Sequence, residues 1–199
     1  ATDSGSIQFQ LIDEFADECF VPLTIGGGIK TMEDIEKLLK VGADKVCINS
    51  AAVNNISFLK EAIRQYGSQC IVVSIDYKKK DNNQKKVIIN SGKVETNLLL
   101  DDHLKRINDL NPGEILINSI DHDGVMKGYD IPTLKNIIKQ SEIPIIAAGG
   151  AGSLEDFEKT INETDVKAIS AASIFHFTQI TPLDVKKYLK SKNISVRID

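Results

Sequence analysis

Two glycine-rich turns and one isolated carboxylate are the residues here best suited to chemistry. Gly26-Gly27-Gly28 and Gly149-Gly150-Ala151-Gly152 each close a β-branched apolar run, and each precedes a helix start. Backbone N–H groups left free at such a turn, helped by the helix dipole, hold phosphate without any cationic side chain. Asn49-Ser50 and Ala172-Ser173 end the next apolar runs and supply further donors beside each turn. One glycine-rich turn often serves only as a tight turn, whereas two matched copies with matched neighbours predict two facing phosphate sites.

Asp76 ends the run CIVVSID with nothing apolar after it, which predicts a carboxylate at the functional face of a βα fold and makes it the general acid/base candidate. The competing readings are a helix cap or a solvated loop acid. Asp121 and Asp123, in NSIDHDG, hold the equivalent position on another strand, where sugar hydroxyls or a turn could equally use them. His122 lies between them and is expected to point the other way. His103 and His176 have no partner at ligand spacing, so neither a metal nor a cofactor is expected.

Positioning these groups requires a particular order of elements. Short apolar runs at 21–26, 45–49, 70–76, 114–120, 143–149 and 167–173 alternate with amphipathic stretches that space Ile, Leu and Phe at three and four residues. That alternation predicts repeated βα units around a parallel sheet whose strands are apolar on both faces. Thr31 and Ser153 are natural N-caps, each followed by an acidic pair. Residues 77–97 are Lys-rich and polar except for a short apolar run, and predict a hairpin after a strand that finishes at Asp76. Sliding the chain by 122 residues lays VPLTIGGGIKTMEDIEKLL on IPIIAAGGAGSLEDFEKTI, with Pro, two Gly, the Glu-Asp pair and the Glu-Lys pair coinciding. Such self-similarity predicts a duplicated half-barrel.

The bulk properties agree. With 199 residues, 42% hydrophobic and 26% charged, the chain suits one well-buried domain. Its formal net charge of −4 offers no basic face for nucleic acid, and no apolar stretch approaches the roughly 20 residues of a membrane span. Cys19, Cys47 and Cys70 form no C-x-x-C pair, and each sits in an apolar stretch, so they are expected to be buried reduced thiols in a cytoplasmic setting. The polar start ATDSGSIQ has neither the basic nor the apolar region of a signal peptide.

GGGIKTMEDIEKLLKVGADKVCINSAA, GSQCIVVSID, GEILINSIDHDG, GYD, AAGGAGSLEDF and AASIFHF together resemble the HisF family, the cyclase subunit of imidazole glycerol phosphate synthase. The likeness extends from about Pro22 to Arg197. It implies an α/β fold, a (βα)8 TIM barrel with internal half-barrel duplication. It also implies a glutaminase partner of the HisH type, with ammonia passing through the barrel core to convert PRFAR to imidazole glycerol phosphate and AICAR. By position, Asp76 matches a catalytic aspartate, while Asn49 and Ser91 match polar groups around the reacting centre. Gly28, Asn49 and Ser50 match one phosphate site, and Gly124, Gly150, Ala172 and Ser173 match the other. Asp123 matches a substrate-binding acid. At the opposite rim, Lys45 and Glu114 match members of a charged ring that admits ammonia, and Asp44 matches a residue at the glutaminase interface.

Three departures accompany the likeness. Asn118 stands where the biosynthetic cyclase usually has Thr, and Ala148 where it usually has Ser. NSIDHDGVMKGYD is more similar to HisF-like paralogues that install acetamidino groups on nucleotide-linked surface sugars, whereas Asn49 and the carboxyl-terminal stretch match the biosynthetic enzyme. The family's first two strands, with a second catalytic aspartate, precede the residue matching Ala1, so the resemblance implies a single barrel domain over residues 1–199, incomplete at its amino end. A phosphate-binding barrel fragment without turnover is a further reading.

Overall fold

The computed structural model describes residues 7–197, so most of the polar start read above lies outside the described residues. In chain order the elements are α1 (Phe9–Asp17), β1 (Thr24–Gly26), α2 (Met32–Lys40), β2 (Lys45–Ile48), α3 (Ser50–Asn54) and α4 (Ile56–Tyr66). A single 3-10 turn (Ser68–Cys70) leads into β3 (Ile71–Lys79), followed by β4 (Lys85–Ile89), β5 (Val94–Leu99), α5 (Leu100–Asn108) and β6 (Glu114–Ser119). Then come α6 (Ile131–Gln140), β7 (Ile145–Ala148), α7 (Leu154–Thr164), β8 (Ala168–Ile169), α8 (Ser173–Phe177) and α9 (Pro182–Ser191).

Six strands pair in parallel in the order β1-β2-β3-β6-β7-β8, and β4 and β5 form an antiparallel hairpin against the upper part of β3. Helices alternate with the parallel strands, and the sheet curls as in a (βα)8 barrel. The outward residues Val46, Ile48, Ile71, Val73, Ile75, Ile115 and Ile117 are buried beneath the helices. They meet the apolar stripes of α2, α4, α5, α6 and α7, from which Ile35, Leu59, Leu104, Ile137 and Phe157 enter the core.

The expectation of strands apolar on both faces needs correction. Their inward faces carry Lys45, Ser74, Asp76, Glu114 and Asn118, which alternate with the outward apolar set at the two-residue period of a strand. The cysteines differ too: Cys19, Cys47 and Cys70 are each half-buried rather than fully enclosed. β3 also runs past Asp76 to Lys79, because β4 continues its ladder through Tyr77↔Val87, Lys78↔Lys86 and Lys79↔Lys85.

The duplication is physical as well as textual. Thr31 accepts from the Asp34 amide, and Asp34 Oδ2 accepts from the amides of Lys30 and Thr31 at 2.9 Å each. One half-barrel later, Ser153 accepts from the Asp156 amide, and Asp156 Oδ2 accepts from Gly152 and Ser153, again at 2.9 Å each. Each capping box satisfies helix-end donors that would otherwise be orphaned and contributes about 1 kcal/mol. Both boxes start a helix immediately after a glycine turn, and so fix where the turn's remaining amides point.

Candidate functional site

The carboxyl ends of the parallel strands bring most of the singled-out residues to one face. Asn49, one residue beyond β2, donates from Nδ2 to Asp76 Oδ2 at 2.8 Å, and the Ser74 hydroxyl donates to Oδ1 at 3.3 Å. Asn118 stands beside Asp76 in the β3–β6 ladder, near enough to favour the charged form of its carboxylate. Burial raises the Asp76 pKa above the ordinary carboxylate value, and nearby Asp123 pushes the same way; Asn118, Ser74 and Asn49 oppose them by favouring the charged form. Asn49 Oδ1 is buried with no hydrogen-bond partner, an acceptor left for a group brought in from outside.

The second glycine turn forms a pocket lined by Asp123, Gly124, Gly149, Gly150, Ala151, Ala171, Ala172 and Ser173. Gly149 and Gly150 adopt φ of +83° and +126°. A Cβ on Gly150 would lie 2.2 Å from the Gly128 carbonyl oxygen, so glycine is required there by conformation and by space. The Gly128 amide donates to the Gly150 carbonyl at 2.8 Å, which seats the β6–α6 loop on the turn. Among the described residues, the amides of Gly150, Ala151, Ala172 and Ser173 donate to no protein acceptor. Four such amides around one pocket suit a phosphate.

The first turn repeats the pattern with Gly27 and Gly28 at φ of +102° and +79°, beside the start of α3. Among the described residues, the amides of Gly28, Asn49 and Ser50 likewise donate to no protein acceptor. Ser50 Oγ accepts from the Asn90 amide at 3.0 Å, which anchors the turn between β4 and β5 over this end of the site. Ser91, in that turn, is exposed at φ +56°.

Other acids prove structural. Asp121 Oδ2 accepts from the Lys79 amide at 2.8 Å, which ties the β6–α6 loop to β3. His122 turns away from the pocket and meets the Ser119 hydroxyl through Nδ1 at 2.8 Å. Sequence reasoning missed a buried brace beneath the site. Tyr77 Oη and Thr133 Oγ1 both donate to Asp130 Oδ2, at 2.8 and 2.7 Å, and Asp130 caps α6. No local pattern signals that pairing, because Tyr77 and Asp130 come from different βα units.

At the opposite rim Lys45 Nζ and Glu114 Oε1 are 2.6 Å apart. They begin β2 and β6, which flank β3, so the pair spans the inner face of the sheet. Asp44 lies beside them but is exposed, and its Oδ2 accepts from the Leu23 amide at 2.7 Å. Between the rims the interior holds Cys47, whose thiol is pushed up to about 12 by burial and by Asp76, and is therefore neutral.

Comparisons with known proteins find relatives over most of the chain. The model of the family described as histidine biosynthesis protein matches residues 1–181. An imidazole glycerol phosphate synthase subunit HisF from Dictyoglomus thermophilum is 48% identical over 200 residues, covering 100% of this chain and 79% of that protein. The protein of the same name from Hydrogenobaculum sp. is 49% identical over 188 residues, covering 94% and 75%. That from Clostridium botulinum is 42% identical over 197 residues, covering 98% and 78%.

Proposed function

The chain belongs to the histidine biosynthesis protein family and is a cyclase subunit of the imidazole glycerol phosphate synthase type, and on that premise we propose that Asp76 is its general acid/base and that the two amide clusters hold the ends of a bisphosphorylated substrate. The substrate of this reading is PRFAR, which reacts with ammonia to yield imidazole glycerol phosphate and AICAR. One observation carries it: the Asn49–Asp76 hydrogen bond of 2.8 Å sets a carboxylate of raised pKa beside two turns with free amides. A raised pKa brings a carboxyl group closer to the pH at which it both takes and returns protons efficiently.

Each residue then has a task. Gly28, Asn49 and Ser50 bind one phosphate through backbone amides, and Gly124, Gly150, Ala172 and Ser173 bind the other. Asp123, at the pocket wall, takes substrate hydroxyls. Asn49 Nδ2 fixes the rotamer of Asp76, while its unpartnered Oδ1 accepts from the substrate. Ser91 meets the substrate from the turn held by Ser50. Asp76 moves protons at the reacting nitrogen and oxygen atoms.

Ammonia reaches the site from the other rim, through the interior lined by Cys47, Val72 and Leu116. The Lys45–Glu114 pair guards that entrance, and Asp44 lies where a HisH-type glutaminase docks. The relatives' shared name favours PRFAR over a nucleotide-linked amino sugar as acceptor. Asp76→Asn in the full chain is expected to abolish ammonium-driven turnover of PRFAR while PRFAR binding persists. Wild-type turnover by that variant would end the assignment.

A further inference from the structure

The hairpin over the site contains a charge arrangement that the reaction chemistry does not use. Lys78 pairs with Lys86 and Lys79 with Lys85 in the β3–β4 ladder, so two like-charged pairs are directly opposed across neighbouring strands. Such pairs destabilise a sheet. Among the described residues none of the four has an ion-pair partner, whereas the next lysine, Lys80, is paired with Glu95. Protection against edge-to-edge aggregation does not explain them: the outer strand of the hairpin is β5, which carries no lysine, and β4 is paired on both sides.

The two pairs face opposite ways. Strand alternation puts Lys78 on the same face as Asp76, and Lys86 with it as its direct partner, just as Ile88 is partnered with Asp76. Lys78 is two residues beyond Asp76, roughly 7 Å farther along the strand. Lys79 and Lys85 lie on the other face, with Tyr77 and Val87. The hairpin is held over the opening at two points, by Asn90 on Ser50 and by the Lys79 amide on Asp121. The opening below contains the carboxylates Asp76 and Asp123 on a chain of net charge −4, all of which repel an arriving phosphate.

We propose that Lys78 and Lys86 form an anion-steering pair at the mouth of the site, which captures the bisphosphorylated substrate from solution and offsets the repulsion of the acids beneath. The proposal rests on the cyclase reading for the identity of the substrate and on the register alone for the position of the charge. The pair acts before chemistry, so it raises kcat/KM through association and leaves kcat unchanged.

Three forms of the full chain test this: wild type, K78Q/K86Q and the charge-matched control K79Q/K85Q. With ammonium salts and PRFAR at low ionic strength, kcat/KM should fall about tenfold in K78Q/K86Q with kcat held, and by no more than about twofold in the control. Added salt should erase the difference as the screening length shrinks to a few ångströms. Equal losses in both variants, or a loss that persists in high salt, would overturn the proposal while leaving the cyclase reading intact. If wild type does not turn over PRFAR, the cyclase reading fails instead. Steering is then read from calorimetric binding of inorganic pyrophosphate, where weaker and less salt-dependent binding in K78Q/K86Q than in the control supports it, and identical binding overturns it.

Discussion

Asn49 Nδ2 and Asp76 Oδ2, 2.8 Å apart, join the end of β2 to β3 at the centre of the proposed site. The bond favours the charged carboxylate, against the burial and the Asp123 charge that favour its neutral form. Replacing Asn49 with Leu removes a hydrogen bond to an ionised group, which is worth about 1.5–3 kcal/mol. Turnover should therefore fall about 10- to 100-fold. With the donor gone, the Asp76 pKa rises further, so the acid limb of kcat/KM should move to higher pH. A limb that stays in place, or moves down, would show that Asn49 does not govern this carboxylate.

Gly150 and Gly124 both adopt positive φ, yet they differ in surroundings. A Cβ at Gly150 strikes the Gly128 carbonyl at 2.2 Å, whereas one at Gly124 meets nothing within 4 Å. Gly124→Ala should thus cost about 1 kcal/mol from backbone conformation alone, and Gly150→Ala about 2–4 kcal/mol, since the β6–α6 loop must also move off the turn. Urea unfolding measures both. Similar losses at the two positions would mean that the loop gives way freely and does not brace the pocket at the second glycine turn.

Much of this architecture was legible locally. The parallel strands announced themselves as β-branched runs, and the two half-barrels as repeated caps, because Thr31 with Asp34 and Ser153 with Asp156 are set by spacing within one turn of helix. Asp76 stood out because a strand ended there in sequence, but Tyr77, Lys78 and Lys79 remain in the ladder, which no polar composition predicts. Their pairing is supplied from outside by β4 and by Asp121. Lys45 and Glu114 are picked out by the family resemblance and not by the periodicity of their strands, for a related reason. Lys45 and Glu114 are tolerable on a covered face only as partners, and the partner is 69 residues away. α9 is legible by the same local rule, since Thr181 and Asp184 form a capping box with Pro182 in the first turn.

Lys45 and Glu114 invite a test that separates entry of ammonia from its use. Both side chains are about 30% exposed, so breaking the pair should cost no more than about 1 kcal/mol of stability. Lys45→Met is expected to leave turnover driven by ammonium salts within about twofold of wild type, because the site around Asp76 is at the other end of the strands. Glutamine-driven turnover in the complex with the glutaminase should fall more steeply. Equal losses with both nitrogen sources would place Lys45 in the general stability of the barrel, not at its entrance.

His103 is fully buried on α5, and neither ring nitrogen has a hydrogen-bond partner. Burial, with a smaller contribution from Arg106, lowers its pKa from 6.5 to about 4, so the folded protein keeps it neutral. An unfolded chain binds the proton at its ordinary pKa, so stability rises with pH wherever the unfolded state holds more protons. The contribution is fully present above pH 6.5 and is lost as pH falls toward about 4, amounting to about 3 kcal/mol across that window. His103→Leu should flatten the stability profile over the same interval. It should also leave stability at pH 8 unchanged or raised, since two orphaned polar atoms are replaced by apolar ones. Urea unfolding of both proteins between pH 4 and pH 8 decides the matter, and parallel profiles would show that the acid lability arises elsewhere in the chain.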